Sequence, residues 1–179
     1  MTPERRAEIV GILEESGAEF RASALAFPSD RAEWSPRPDC WSVLQIVEHV
    51  ALAENGMFAR LGAAVKVEAS TENPAKEAII STRLVSRETP VQAPERVRPV
   101  GRFTNVAEAL AQFDEARRRT VRFAFETELD LFCLEAMHPL IGAVNCMELL
   151  LIMAGHSRRH AAQIAELRRH LEPDTAPRG

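Results

Sequence analysis

The chain has 179 residues, the length of one domain, and its 46% hydrophobic and 27% charged residues are typical of a folded, water-soluble protein. A formal net charge of -4 argues against nucleic-acid binding, which needs a positive face. Three cysteines without paired spacing argue against a disulfide framework and favour a reducing compartment. Neither a signal peptide nor a stretch of roughly 20 apolar residues is found. We expect one cytoplasmic domain over residues 1–179, with no membrane or nucleic-acid partner.

Two amphipathic helices are predicted in the first third of the chain. The first spans residues 3 to about 25, with Thr2 as its N-terminal cap and apolar residues at helical spacing. A loop with three prolines follows. The second helix begins at Ser42 and continues to about residue 64. Ser42 and Gln45 form an S-x-x-Q capping box, in which each side chain satisfies a free backbone amide of the other residue.

The middle of the chain contains a long connection and a third helix. Residues 65–103 contain four prolines and no sustained periodicity, although a short helix around residues 76–82 is possible. A connection of this length is uncommon in a compact domain unless it crosses over or covers a site. The third helix is predicted over residues 105–126, with capping-box spacing between Asn105 and Glu108.

The last part of the chain is predicted to form an irregular segment and a long fourth helix. Residues 129–142, LDLFCLEAMHPLIG, suggest a short extended or turn segment. The fourth helix begins at Asn145, has Glu148 as its capping partner and stops before Pro173. No strand-like alternation is convincing anywhere. These elements predict an all-α fold, a four-helix bundle with a long crossover between the second and third helices.

The fourth predicted helix places His156 and His160 four residues apart, within GHSRRHAAQI. Such residues lie one above the other, roughly 5–6 Å apart at Cβ, and can reach one metal ion. Two ligands bind poorly, so a third is expected from a facing helix. Of the three other histidines, His49 lies within the second helix, His138 lies in the irregular segment, and His170 lies about four turns beyond His156.

Each of these features also has an ordinary structural interpretation. A histidine pair at this spacing is more often simple core or surface polarity than a metal site. Arginines at 117–119, 158–159 and 168–169 are most simply solvated helix faces, and Trp34 and Trp41 are most simply packing residues.

Three stretches of the sequence, taken together, resemble the DinB-like (DinB/YfiT) superfamily of bacterial helical-bundle proteins. They are WSVLQIVEHVALAE at 41–54, HPLIG at 138–142 and HSRRHAAQI at 156–164. Their order and spacing match the family, and so does the long crossover between the second and third helices. The resemblance covers nearly the whole chain.

The resemblance implies a divalent metal held by three histidines, which by position are His49, His156 and His160. Nickel or zinc is the expected metal, with iron as a further possibility, since neutral imidazoles suit zinc and nickel about equally. A three-histidine site leaves a position where water or a thiol loses its proton readily. Relatives include bacillithiol and mycothiol S-transferases, so a low-molecular-weight thiol is a possible cofactor.

Residues around the three histidines suggest further roles. Gln163, three residues after His160, could face the same pocket and orient a ligand or substrate. Ala53, one turn from the second-helix histidine, is expected to line the pocket, whereas Gln45 is more simply used in its capping box. Glu48 points about 100° away from its neighbouring histidine and is a poor ligand candidate.

Three functional hypotheses remain open from the sequence. The first is a metal-dependent hydrolase or thiol transferase acting on a small molecule. The second is a non-catalytic metal-binding or stress-associated bundle, with its pocket closed by the 65–103 segment. The third is a helical interaction module with incidental histidines. A homodimer face on the first and third helices is possible, and Cys146, although at a helix N-terminus, is most simply a small buried hydrophobe.

Overall fold

Five α-helices account for most of the chain in this computed structural model, which describes residues 1–88 and 91–171. Four of them are long and one is short. They are α1 (Pro3–Leu25), α2 (Val43–Gly62), α3 (Pro74–Arg83), α4 (Val106–Glu126) and α5 (Cys146–Leu171). Within the described ranges, no helix is long and apolar enough to cross a membrane.

The predicted caps set where the long helices begin. The Thr2 hydroxyl accepts a backbone N–H in the first turn of α1. At α2, the Ser42 amide donates to the Gln45 side chain at 2.9 Å, and the Gln45 amide donates back to the Ser42 hydroxyl at 3.3 Å. Asn145 and Glu148 form the same reciprocal pair before α5, at 3.0 and 2.8 Å. Polar side chains thus satisfy amide groups that have no partner inside the helix.

The four long helices form the predicted bundle. α1 packs against α4 and α5, and α2 also packs against α4 and α5. The long connection between α2 and α4 is the predicted crossover, and its short helix α3, which was expected near residues 76–82, packs against α5. Residues 95–97 of the crossover contact α2. The crossover therefore lies against α5, which carries the histidine pair, and against α2, which carries the candidate third ligand.

A small antiparallel sheet is the main departure from the all-helical prediction. Its strands are β1 (Val65–Lys66), β2 (Leu134–His138) and β3 (Gly142–Asn145), in the order β1-β2-β3. β2 and β3 form a hairpin with His138 opposite Gly142, whose φ of +85° is readily adopted by glycine. Strands of two to five residues are too short to show a convincing alternation in sequence.

The apolar core is divided by a polar layer at mid-height of the bundle. One apolar cluster lies towards the hairpin and includes Leu13, Met57 and Ile152. The other lies towards the opposite end and includes Phe20, Val47 and Phe113. Buried polar residues lie at or next to the boundary between these clusters on each long helix: Ser16 on α1, Glu54 on α2, Arg117 and Thr120 on α4, and Ser157 and His160 on α5.

Arg117 lies in this layer, so the interpretation of residues 117–119 as a solvated face is wrong at its first member. The side chain is only 6% exposed, and its guanidinium donates to both carboxylate oxygens of Glu54, at 2.7 and 3.0 Å. It also donates to the hydroxyls of Ser16 and Ser157, at 2.9 and 2.7 Å, and to the Leu13 carbonyl. The arginine joins all four helices of the bundle.

Candidate metal centre

Three histidine rings converge between α2 and α5. His49 Nε2 lies 3.2 Å from His156 Nε2, and His160 Nε2 lies 3.2 Å from the same atom. The candidate ligand atoms of all three residues lie within 4.8 Å of one another. The spacing of four residues places two rings on one face of α5, and bundle packing brings α2 with the third. The structure thus brings together the residues that the resemblance indicates.

Hydrogen bonds on the opposite ring nitrogens fix the tautomers of two of these histidines. His49 Nδ1 lies 2.7 Å from the carbonyl oxygen of Val97, and His160 Nδ1 lies 2.8 Å from the side-chain oxygen of Gln163. Both oxygens are acceptors, so each Nδ1 carries the proton and donates it. Each Nε2 therefore presents a lone pair to the centre of the cluster. This is the arrangement in which metal-binding imidazoles are usually held.

Burial keeps the three imidazoles neutral. It lowers the pKa of His49 below its ordinary value and lowers the pKa of His160 to about 3. The pKa of His156 is lowered well below the ordinary value, first by burial and then by its two histidine neighbours. The Nδ1 atom of His156 is buried and has no hydrogen-bond partner among the described residues. Uncharged rings are the form that binds a metal ion.

The donor set fits a divalent metal ion. A tetrahedral ion that binds nitrogen at roughly 2.0–2.1 Å separates its ligand atoms by about 3.3 Å. The two measured separations of 3.2 Å are close to that value. The cluster consists of imidazoles alone, a set that suits zinc or nickel. His49, His156 and His160 could therefore hold such an ion in the geometry already present.

Two adjacent residues of α2 hold the crossover above the cluster. Glu48 is 1% exposed, and its carboxylate accepts the backbone N–H groups of Val100 at 2.8 Å and Gly101 at 3.1 Å. His49 donates to Val97 in the same segment. Glu48, a poor ligand candidate on the sequence, binds the crossover through its carboxylate, a positioning role that was not predicted. The available signal was a glutamate within the apolar run of α2.

The crossover also approaches α5 closely beside the histidines. A Cβ atom built on Gly155 would lie 2.9 Å from the Cβ of Leu84, closer than side chains normally pack. Glycine at this position therefore lets the end of α3 lie directly against α5. Leu84 in turn forms part of the cavity wall next to His156.

The histidine cluster faces a cavity of about 190 Å³, and Ala53 lines it as predicted. Trp41, expected only to pack, also lines it, with its ring centroid 4.9 Å from that of His49. Val91 and Leu140 are each 59% exposed, so the cavity reaches solvent and the crossover does not seal it. The apolar part of the wall consists of Trp41, Ala53, Met57, Leu84, Val91, Ala93, Pro94, Val97, Pro139, Leu140 and Ile152.

His138, predicted only to lie in the irregular segment before α5, lines the cavity. It ends β2, and its Nδ1 accepts the Leu140 N–H at 3.3 Å. Burial, with the nearby charges of Arg60 and Arg96, lowers the pKa of His138 to about 4. The neutral ring therefore carries its proton on Nε2. His170, in contrast, is exposed and lies outside the cavity.

Cys146 does not behave as a nucleophile in this structure. The thiol is buried at the start of α5, and burial raises its pKa to about 11. A thiol that is protonated at neutral pH is a poor nucleophile. This agrees with its interpretation as a small buried hydrophobe.

Comparisons with known proteins identify the family and the fold. The family model described as the DinB superfamily matches residues 12–164. YfiT from Bacillus subtilis, described as a probable metal-dependent hydrolase with an unusual four-helix bundle topology, aligns with a TM-score of 0.64 and 20% identity over 96% of this chain and 90% of its own. A conserved protein from Enterococcus faecalis aligns with a TM-score of 0.58 and 13% identity, over 94% and 96%. No curated protein gives a significant match.

Proposed function

This chain belongs to the DinB superfamily, and we propose that it is a metal-dependent enzyme that acts on a small molecule by hydrolysis or thiol transfer. In this proposal His49, His156 and His160 hold one nickel or zinc ion. The observation that carries it is the convergence of three neutral Nε2 atoms at ligand spacing on a cavity open to solvent. The description of YfiT as a probable metal-dependent hydrolase supports the same class of reaction.

Three protein ligands leave part of the coordination sphere open, and a divalent ion there supplies Lewis acidity and lowers the pKa of a water or thiol. The protein's own contribution is orientation. The Val97 carbonyl holds the His49 ring, and the Gln163 side chain holds the His160 ring. Their hydrogen bonds keep both Nε2 lone pairs directed towards the third histidine.

Two other features of the cavity suit a reaction there. Apolar walls, including Met57 and Ile152, lower the local dielectric constant and so strengthen electrostatic interactions inside the site. His138 carries its neutral-state proton on Nε2 and lines the same cavity, so it can donate a hydrogen bond to a bound substrate. A closed pocket was the expectation for a non-catalytic metal protein, and an opening to solvent favours an enzyme instead.

Turnover by protein loaded with nickel or zinc tests the proposal. One panel contains small esters and amides without added thiol, and a second contains a low-molecular-weight thiol with 1-chloro-2,4-dinitrobenzene. We expect metal-dependent turnover in at least one panel. His156→Ala should abolish it, whereas His170→Ala, which alters an exposed histidine on the same helix, should retain it.

The two panels also separate hydrolysis from thiol transfer. Turnover that requires no thiol assigns hydrolysis, and turnover that requires both thiol and electrophile assigns transfer. Tight metal binding without turnover in either panel would contradict the enzymatic proposal and leave the non-catalytic metal-binding function. Equal turnover by wild type and His156→Ala would contradict the assigned site.

A further inference from the structure

The wall of the cavity carries an excess of positive charge. Arg60 of α2, Arg83 of α3, Arg96 of the crossover and Arg159 of α5 all line it. No aspartate or glutamate is found among the described residues of this lining. The whole chain, by contrast, contains 26 acidic and 22 basic residues, so the local charge is opposite to the net charge. Composition alone does not account for four arginines around one small cavity.

Three of these arginines lack a carboxylate partner. Within the described part of the chain, no carboxylate lies within ion-pair distance of Arg60, Arg83 or Arg96. Arginines that join helices or the crossover elsewhere are paired: Arg87 with Glu166, Arg117 with Glu54, and Arg158 with Glu15 and Glu19. Arg60, Arg83 and Arg96 therefore keep a charge without a carboxylate partner on the wall of a largely apolar cavity.

The charge is strong enough to affect its neighbours. Burial and the nearby Arg96 lower the pKa of Arg60 below its ordinary value. The same two arginines add to burial in lowering the pKa of His138. A concave surface lined by one sign of charge and by apolar walls concentrates its field in the cavity. An anion that entered would meet this field and several guanidinium groups.

We propose that the substrate is a small amphipathic carboxylate, bound with its carboxylate at the arginines and its apolar part against the cavity wall. Arg83 and Arg96 are exposed where they line the cavity, which places them at its mouth, whereas His49 and His160 are buried. Guanidinium groups bind carboxylates through paired hydrogen bonds. The proposal names the substrate class for the site described above and rests on that proposed function.

The shape of the cavity agrees with such a ligand. A volume of about 190 Å³ is smaller than the roughly 300–1,000 Å³ of pockets for drug-sized ligands. Its walls provide one aromatic side chain, Trp41, and aliphatic side chains such as Met57 and Leu84. A carboxylate held at the mouth would leave the rest of the molecule extending towards the histidines, where the reacting bond would lie.

Binding of matched probes tests the substrate class directly. We would compare 3-phenylpropionate with its neutral isostere 3-phenylpropionamide by calorimetry, using both metal-loaded and metal-free protein. The carboxylate is expected to bind about tenfold more tightly than the amide in both forms, because charge-assisted hydrogen bonds are stronger than neutral ones. Metal-free protein is included because a carboxylate could otherwise bind the metal itself.

Variants at the mouth of the cavity show whether the arginines cause this preference. The double variant Arg83→Gln/Arg96→Gln should raise the dissociation constant of the carboxylate about tenfold, which removes most of the preference. Binding of the amide should be unchanged. Arg102→Gln, which alters an exposed crossover arginine outside the cavity lining, is the matched control and should bind as wild type. Arg60 is left intact because it also donates to the Met137 carbonyl of the hairpin.

The outcomes separate this inference from the proposed function. Equal binding of carboxylate and amide, or a carboxylate preference that survives in the double variant, would overturn the substrate class even if the protein turns over neutral esters. A preference that the double variant removes supports the class even if metal-dependent turnover is never found. The two proposals thus fail on different measurements.

Discussion

Two polar clusters lie in the middle of the same bundle and are built in opposite ways. Around Arg117, donors meet acceptors: the guanidinium binds both oxygens of Glu54, and two serine hydroxyls complete its shell. Around His156, acceptors outnumber donors, because the Nε2 atoms of His49 and His160 both present lone pairs to a ring that carries a single N–H when it is neutral. In the first cluster both carboxylate oxygens meet donors, whereas in the second a cation would bind Nε2 lone pairs that share at most one N–H.

The difference shows how a buried polar cluster can be assigned to structure or to function. Buried polar groups are costly unless they are hydrogen-bonded, so a satisfied network can be retained for structure alone. A cluster in which two lone pairs share at most one N–H is not satisfied by its own groups and can bind a cation.

The largest expected effect is loss of stability when the arginine cluster is broken. Arg117→Met leaves the buried carboxylate of Glu54 without its partner and should cost about 3–5 kcal/mol of unfolding free energy. Urea denaturation of metal-free protein measures this. Metal affinity of the folded variant should stay close to that of wild type, since no proposed ligand is altered.

Two matched variants sharpen this test. Arg118→Met alters an exposed arginine that pairs with Glu115 on the helix surface, and should change stability by less than about 1 kcal/mol. The double variant Arg117→Met/Glu54→Leu removes both charges and should recover much of the lost stability. A loss below 1 kcal/mol for Arg117→Met alone would contradict a structural role for this cluster.

The next effect concerns the hydrogen bond that orients a proposed ligand. Gln163→Ala removes the acceptor for His160 Nδ1 and should weaken zinc or nickel binding about 10–100-fold. Gln163→Glu retains an acceptor and should restore affinity. Competition with a chromophoric chelator measures both. Unchanged affinity in the alanine variant would show that the ring is oriented by packing instead.

Stability of the metal-free protein should fall as the pH is lowered from about 6.5 to 5. The pKa of His160 is about 3 in the folded chain and about 6.5 in an unfolded one, so only the unfolded state takes up a proton in this interval. Proton uptake by the unfolded state lowers stability by about 1.4 kcal/mol per pH unit for one such group. Thermal or urea unfolding across this range should show a shallower slope for His160→Gln. An identical slope would contradict a buried neutral His160.

The smallest effect should be local. Glu48→Gln leaves one of the two backbone donors, Val100 or Gly101, without a good acceptor and should destabilise the crossover by on the order of 1 kcal/mol. Hydrogen exchange at these two amides should then be faster, while exchange within the bundle core stays unchanged. Unaltered exchange at both positions would argue that Glu48 does not hold the crossover.

Sequence patterns identified the features that depend on local spacing. The N-terminal ends of α2 and α5 were predicted from capping residues. The proximity of His156 and His160 was predicted from their separation of four residues. His49 was assigned through family resemblance, because no local rule relates two residues more than a hundred positions apart. Helical periodicity therefore predicted the bundle and two of the three candidate ligands.

Features that depend on irregular backbone or on the completed fold could not be predicted from these patterns. The Val97 carbonyl lies in a proline-rich crossover whose course depends on the completed bundle. Arg117 lies in the run ARRRT, which looks like a charged surface until Glu54 is placed opposite it. The arginines around the cavity come from three helices and the crossover, so their association exists only in the folded chain.

Metal content of tag-free protein tests the central claim most directly. Elemental mass spectrometry would compare wild type, His156→Ala and His170→Ala, each after purification and after titration with nickel or zinc. We expect about one ion per chain in wild type and in His170→Ala, and almost none in His156→Ala, because two remaining imidazoles bind a divalent ion poorly. Protein that neither contains nor takes up a metal, or equal metal in all three, would contradict the three-histidine site.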